Sequence, residues 1–321
     1  MKWNVLLGVL LVVVLVVNFG PREPVDYTIS FSEADLGDDL DAYLATSESR
    51  VEGVVAAHAK SIIWAGAPGE KTTYSVVYLH GFSATKEEIR PVPDNVATAL
   101  GANLFFTRLA GHGRAAEAMS QATVNDWIND VAEALAIGRR LGNRVVVIST
   151  STGGTVFTLA ALDPSQTKNV IGAVFMSPNF EIAASGSSIL TFPFARQIVP
   201  LILGNERGWE PISEVQAQHW HTRYPSEAVL PMAAAVRDVA NISVSEILIP
   251  AFFIFSPDDQ VVSASATRKI ADRWGGPAKS WEIAGSDVGD PSAHVLAGDI
   301  VSPQTTGEVS VAIAEWVQSL K

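Results

Sequence analysis

The sequence predicts an α/β fold: a doubly wound, mostly parallel sheet with an inserted helical cap. From residue 61 onward, short apolar segments of strand character alternate with longer segments of helical periodicity. The segment RVVVI (144–148) is short and apolar on both faces, which is typical of a central parallel strand. Residues 179–245 are too long and too apolar for a simple crossover, so we expect them to form a helical cap over the sheet.

Each element follows from local pattern. Runs rich in β-branched and aromatic residues predict strands at 61–66, 74–82, the start of 102–113, 144–148, 172–178, 248–256 and 279–285. Amphipathic runs predict helices at 40–47, 87–101, 124–142 and 306–320. The predicted organisation is an anchor or export signal at 1–20, a linker with a short helix at 21–60, a sheet core at 61–178 and 246–321, and the cap at 179–245.

The first 20 residues differ in character from the rest of the chain. Lys2 precedes an unbroken apolar run from Val5 to Val17, close to the roughly 17-residue lower limit for crossing a bilayer. The segment has no A-x-A-like cleavage site, which favours an uncleaved signal anchor over a cleaved export signal. The leading positive charge predicts an extracytoplasmic protein on the periplasmic side, anchored in the inner membrane by residues 3–19 or secreted after cleavage.

Composition excludes several classes of function. The 321 residues contain no cysteine, so disulfides, thiolate metal sites and cysteine nucleophiles are excluded. A formal net charge of −12 argues against nucleic acid as a partner, because phosphates require a basic surface. His219 and His221 are two residues apart and diverge on a helix, so no metal site is expected there.

Four consecutive hydroxyl side chains, at 149–152, end the predicted central strand. A serine becomes a nucleophile when a sharp strand-to-helix turn exposes it, and such a turn needs small residues two before and two after the nucleophile. Only Ser151 meets this rule, because Ser149 precedes it and Gly153 follows it. Ser151 is therefore the predicted nucleophile, with a helix cap as the alternative interpretation of the same residues.

The partners of such a serine follow later in the chain, first an acid and then a histidine. Asp258 and Asp259 come directly after the strand at 248–256, and His294 follows the last predicted strand. The oxyanion formed during acyl transfer needs two backbone N–H donors. Thr152, directly after the nucleophile, and Phe82, in the loop after an early strand, are predicted to supply them.

Further contacts with substrate are predicted at the same edge of the sheet. Gly81 and Phe82 belong to the predicted oxyanion loop, and Trp209 and Trp220 lie in the predicted cap. Cap aromatics such as these either line an acyl pocket or pack within the cap, and the sequence leaves both interpretations open.

Five features together resemble the α/β-hydrolases of the serine-esterase and monoacylglycerol-lipase-like group, which overlaps the serine aminopeptidases: HGFSA (80–84), RLAGHG (108–113), STSTGG (149–154), SPDDQVV (256–262) and His294. The resemblance covers about residues 60–320 and favours Asp259, the aspartate directly before Gln-Val-Val, as the triad acid. It also implies a structural role for His112, near the oxyanion hole.

The resemblance implies a cofactor-free hydrolase that cleaves short- to medium-chain or monoacylglycerol-type esters through a Ser-His-Asp triad. A peptidase, thioesterase or acyltransferase on the same triad is the alternative, and a non-catalytic ligand-binding protein of this fold is a more distant one. The expected partners are a small-molecule or lipid ester and, through the N-terminal segment, a membrane. The sequence does not predict the oligomeric state.

Overall fold

A seven-stranded sheet organises the computed structural model, which describes residues 2–320 apart from the side chains at 2, 4, 5, 9, 12 and 13. The strand order is β1-β3-β2-β4-β5-β8-β9, and only β1 is antiparallel to its neighbour. The strands of this sheet are β1 (Ser61–Ile63), β2 (Thr72–Leu79), β3 (Asn103–Phe106), β4 (Gly142–Thr150), β5 (Val170–Met176), β8 (Ala251–Phe255) and β9 (Ala278–Glu282). The predicted doubly wound, mostly parallel sheet is confirmed.

Helices cover both faces of this sheet. The helices of the described residues, including those of the cap, are α1 (Lys2–Phe19), α2 (Leu40–Ser49), α3 (Val92–Leu100), α4 (Val124–Leu141), α5 (Thr152–Ala160), α6 (Ala195–Leu203), α7 (Glu214–His219), α8 (Val229–Asn241), α9 (Ala264–Arg273) and α10 (Pro303–Ser319). Along β4, Val145 and Val147 pack into one core and Val146 and Ile148 into the other. This alternation explains why the central strand is apolar on both faces.

The segment between β5 and β8 forms a separate layer over one end of the sheet. It contains α6, α7, α8 and a small antiparallel hairpin of β6 (Glu206–Gly208) and β7 (Arg223–Pro225). The side of α8 that includes Leu230, Ala234 and Val239 is buried in the larger core, where this helix packs against α5. The insertion therefore stands above the C-terminal ends of the central strands.

The residues that directly follow α1 contact the cap. Phe194 donates its backbone N–H to Pro21, and the carboxylate of Glu23 pairs with Arg196 at 2.6 Å. Among the residues that the structure describes, no helix combines the length and apolar character needed to cross a membrane. Within the predicted linker, Leu40 and Leu44 of α2 are buried in the core.

Candidate active site

Ser151 occupies the sharp turn between β4 and α5. Its backbone has φ 50° and ψ −118°, a conformation that non-glycine residues rarely adopt, and its N–H donates to Met176 O at 3.0 Å. The following helix crosses close to the end of β2, where a Cβ on Gly153 would overlap the carbonyl oxygen of Leu79. Glycine at 153 is thus a steric requirement, and the strained turn projects the serine from the edge of the sheet.

The four hydroxyl groups of this turn have different environments. Ser149 Oγ donates to Val174 O at 3.0 Å, and Thr150 Oγ1 lies 3.1 Å from Tyr78 Oη. Thr152 Oγ1 is buried and has no partner among the described residues. Ser151 alone contributes to the wall of the large cavity beneath the cap. The buried hydrogen bond of Ser149 also explains how serine replaces glycine at the first position of the turn motif.

His294 and Asp259 form a hydrogen-bonded pair beside this turn. His294 Nδ1 lies 2.8 Å from Asp259 Oδ2, and the Asp259 side chain is only 1% exposed. The other oxygen of Asp259 accepts from the N–H groups of Val261 and Val262, at 2.8 and 3.0 Å, so the carboxylate is held on both sides. Asp258 instead accepts from Gly285 N–H and makes no such contact with the histidine.

The loop that carries His294 is held by a second carboxylate. Asp290 Oδ2 accepts from the backbone N–H groups of His294 at 3.0 Å and Val295 at 2.7 Å. Burial alone lowers the pKa of His294, but the facing carboxylate of Asp259 outweighs it, with smaller contributions from Glu88 and Asp290, and the pKa is raised above its usual value. His294 and Ser151 line the same cavity, and the described residues show no direct hydrogen bond between them.

The loop after β2 presents a backbone donor near Ser151. Phe82 lies in this loop, and neither its N–H nor that of Thr152 donates to a protein acceptor within the described residues. Thr152 is the first residue of α5, where helix N–H groups have no partner within the helix. The two predicted oxyanion donors are therefore both free to bind a ligand oxygen.

Two buried histidines hold the loop in place. His80 Nδ1 lies 2.9 Å from Gly81 O, and its Nε2 accepts from Leu109 N–H at 3.0 Å. His112 Nδ1 contacts Ala110 O, and its Nε2 accepts from Ser83 N–H at 3.0 Å. Burial lowers the pKa of His80 to about 4 and that of His112 well below its usual value, so both rings are neutral and act as fixed bridges. These contacts of His112 are consistent with the structural role that the resemblance implies for it.

Gly81 is enclosed by Glu88 and by the turn that carries Ser151. Its N–H donates to Glu88 Oε2 at 2.7 Å, and it is not among the residues that line the cavity. A Cβ at this position would lie 2.6 Å from Glu88 Oε1 and 3.2 Å from Ser151 Cβ. Glycine is therefore required at 81 because the carboxyl group of Glu88 and the side chain of Ser151 both approach its Cα, and its contact with substrate stays a prediction.

A cavity of about 480 Å³ lies between the sheet edge and the cap. Phe82, Trp209 and Trp220 all line it, as predicted contacts with substrate would. The remaining wall is formed by Ser83, Glu88, Ser151, Asn179, Glu210, Ile212, Gln216, Tyr224, Met232, Val261, Asp290, Pro291, Ser292, His294 and Val295. Of these described lining residues, only His294 is basic. The wall combines an apolar, aromatic upper part with a polar floor.

The histidines at 219 and 221 point to different neighbours. His219 Nδ1 lies 3.1 Å from His58 Nε2, which joins α7 to the segment before β1. His221 donates its backbone N–H to Ser83 O at 2.7 Å, and its Nε2 is buried without a partner among the described residues. Within residues 2–320, no cluster of three histidine or acidic side chains is placed to hold a metal ion.

Comparison with known families identifies the family of this chain. Residues 70–284, more than half of the 321-residue chain, match the family described as serine aminopeptidase, S33. The chain belongs to the S33 family. No curated protein sequence matches it.

Solved structures similar to this S33 member show the same fold at low sequence identity. One belongs to the metagenome-derived lipolytic enzymes LipS and LipT, at 16% identity and a TM-score of 0.62, covering 83% of this chain and 99% of the other. The monoacylglycerol lipase of Paleococcus ferrophilus is similar at 14% identity and a TM-score of 0.59, covering 81% and 98% of the two chains. A soluble variant of the Saccharomyces cerevisiae monoglyceride lipase has 13% identity and a TM-score of 0.58, covering 81% and 90%. The α/β-hydrolase fold is thus established for this S33 protein.

Three lining residues of this S33 protein had no clear signal in the sequence. Glu88 stands in KEEIR, which resembles the charged face of a helix. Asn179 follows β5, and its Oδ1 is buried with no partner among the described residues. Tyr224 in β7 stacks edge-on against Phe82 at 5.3 Å. The position of Asn179 three residues after the end of a parallel strand is the one signal that sequence analysis could have used, because ligands bind at the carboxyl ends of such strands.

Proposed function

We propose that the protein hydrolyses carboxylic esters through Ser151, His294 and Asp259 by way of an acyl-enzyme. The single observation that carries the proposal is the His294–Asp259 pair, joined at 2.8 Å, whose histidine lines one cavity with a serine on a strained strand-to-helix turn. The raised pKa of His294 supports this role, because the paired carboxylate stabilises the protonated ring that forms when the serine loses its proton.

The reaction follows from these positions. His294 Nε2 takes the hydroxyl proton of Ser151 while Ser151 Oγ attacks the ester carbonyl and forms a tetrahedral oxyanion. The protonated His294 then gives that proton to the leaving alcohol as the carbon–oxygen bond breaks. Water, deprotonated by His294, then attacks the acyl-serine, and His294 returns that proton to Ser151 Oγ as the bond from the acyl carbon to Oγ breaks and the carboxylic acid leaves. Asp259 holds the Nδ1–H of His294 throughout and is not itself protonated.

The oxyanion is stabilised by backbone groups that the fold already fixes. The free N–H groups of Phe82 and Thr152 are the proposed donors. Thr152 begins α5, so the positive end of that helix adds to the stabilisation of negative charge. Because His80 and His112 fix the loop that carries Phe82, little reorganisation is needed when the oxyanion forms.

The cavity supports an acyl substrate of short to medium length or of monoacylglycerol type. Its upper wall is aromatic through Trp209, Trp220 and Tyr224, and its volume of about 480 Å³ suits a small lipid better than a polymer. The names of the structural relatives, lipolytic enzymes and monoacylglycerol lipases, agree with this substrate class. The name of the family favours a second candidate, cleavage of a peptide bond by the same residues.

The experiment is hydrolysis of p-nitrophenyl esters from acetate to palmitate by the full chain, beside aminoacyl p-nitroanilides. We expect ester cleavage with an optimum at short to medium chain length, and its loss in Ser151→Ala. Ser165→Ala, an exposed serine after α5, is the matched control. Faster cleavage of the anilides would favour the peptidase. Activity retained in Ser151→Ala would overturn the assignment of the nucleophile.

We also propose that residues 1–20 direct the chain out of the cytoplasm, as an anchor or as a cleaved signal. Lys2 ahead of a long apolar run supports this proposal. Fractionation of the producing cells, with N-terminal sequencing of the recovered protein, tests it. Recovery of the intact chain in the cytoplasmic fraction would contradict it.

A further inference from the structure

Glu88 is a buried acid whose position the triad does not explain. It is only 2% exposed, lies in the segment between β2 and α3, and lines the catalytic cavity together with Ser151 and His294. Burial raises the pKa of its carboxyl group, and the hydrogen bonds from Gly81 and Tyr78 oppose that shift. Because burying an ionisable group is unfavourable, its presence beside the nucleophile calls for a specific role.

One oxygen of Glu88 joins two of the loops on which catalysis depends. Oε2 accepts from Gly81 N–H at 2.7 Å and from Tyr78 Oη–H at 2.8 Å. Tyr78 Oη also lies 3.1 Å from Thr150 Oγ1, and Thr150 directly precedes the nucleophile. A single carboxyl group therefore connects the loop that carries Phe82 with the turn that carries Ser151.

The bond to Gly81 determines the direction of the next peptide. His80 holds the carbonyl oxygen of Gly81 at 2.9 Å, while Glu88 holds its N–H. With both peptide groups around Gly81 fixed, the peptide that bears Phe82 N–H has little freedom to rotate. His80, which is buried and neutral, supports this peptide from the interior of the protein. Glu88, which lines the cavity, supports it from the cavity side.

The loop that carries His294 also packs against Glu88. A Cβ on Gly298, four residues after His294, would lie 2.9 Å from the carbonyl oxygen of Glu88. Asp299 N–H donates to Arg90 O at 2.8 Å, which fixes the backbone of this segment to the histidine loop. The position of Glu88 is therefore itself well determined by its neighbours.

We propose that Glu88 is a positioning residue that keeps Phe82 N–H directed at the oxyanion by accepting a hydrogen bond from Gly81. The proposal rests on the acyl-transfer function given above. Its role is to support the transition state, because the Phe82 N–H matters most when the carbonyl oxygen becomes negative. Loss of Glu88 should therefore lower kcat and leave KM nearly unchanged.

Two variants of similar size separate the hydrogen bond from the packing. Glu88→Gln keeps an oxygen that accepts from both Gly81 and Tyr78, whereas Glu88→Met fills similar space with no such acceptor. We expect Glu88→Met to lower kcat by about 100-fold, the effect of losing one oxyanion donor, with KM within about threefold. We expect Glu88→Gln to restore kcat to within about fivefold of the unaltered chain. The matched control is Glu87→Gln, which changes the neighbouring glutamate, a residue that pairs with Arg90 in the unaltered chain.

The readouts are kcat and KM for p-nitrophenyl butyrate and the rate of labelling by a fluorophosphonate, with thermal unfolding to confirm folding. Equal kcat in the Met and Gln variants, or a loss confined to KM, would overturn the proposal. If Glu88→Met does not fold, a folded Glu88→Gln that loses 100-fold in kcat would overturn it as well. An unaltered chain that neither cleaves esters nor reacts with the fluorophosphonate would instead overturn the proposed function.

Discussion

The floor and the upper wall of the catalytic cavity are built by different means. The floor consists of loops at the sheet edge whose buried polar groups are fixed by hydrogen bonds, such as His80 between Gly81 and Leu109. The upper wall, in the cap, is formed mainly by aromatic and aliphatic contacts, and some apolar side chains face solvent, including Leu201 at 85% exposure. If the proposed function holds, the reacting groups are positioned by directional bonds, and the substrate is recognised mainly through apolar area.

The largest expected effect lies in the floor and compares two neighbouring acids. Asp259→Asn should lower kcat by about 10⁴-fold, because the amide no longer stabilises the protonated His294 or the correct tautomer. Asp258→Asn, in the same turn, contacts Gly285 and should change kcat little. The measurement is kcat for ester hydrolysis by both variants. Equal losses in the two would contradict the assignment of Asp259.

The next largest effect is on pH dependence. In the proposed mechanism hydrolysis requires neutral His294, so kcat/KM should fall about tenfold for each pH unit below its pKa. Since that pKa is raised, the acid limb should lie above the usual histidine value of about 6.5. His80 and His112 have lowered pKa values and stay neutral through this range. A pH–rate profile from about 5 to 9 measures the limb, and a limb at or below about 6.5 would contradict the prediction.

Changes in the upper wall should alter selectivity more than rate. Trp220→Ala removes a large aromatic side chain from the cavity and should raise KM for medium-chain esters by about tenfold, with kcat changed less. Trp281→Ala, a tryptophan in β9 that does not line this cavity, serves as the control. Chain-length profiles of both variants provide the test. Unchanged selectivity in Trp220→Ala would remove this residue from the substrate site.

The smallest effect is expected on the outer surface of the cap. Leu201→Ser changes an exposed residue of α6 that does not line the cavity, and soluble-ester kinetics should stay within about twofold. Thermal unfolding should also be nearly unchanged, because little apolar area is buried at this position. A large loss of activity would show that the upper wall depends on contacts that the described structure does not contain.

The sequence predicts the floor better than the wall for a physical reason. Ser151 was predictable because the strained turn restricts its neighbours to small residues, and Gly153 shows that restriction directly in its approach to Leu79. The parallel strands were predictable from their apolar pattern. Glu88 was not, since a glutamate in KEEIR carries no mark of burial until β2 and the histidine loop surround it.

The charge of the cavity has a consequence for the end of the catalytic cycle. Its described wall contains the acidic residues Glu88, Glu210 and Asp290, and His294 is the only basic side chain in it. An ester enters as a neutral molecule, but hydrolysis leaves a carboxylate, which is negative at neutral pH. Among the described lining residues, no arginine or lysine is present to pair with that anion, and three acidic side chains face it. Departure of the acid product should therefore be fast, and accumulated fatty acid should inhibit the enzyme only weakly.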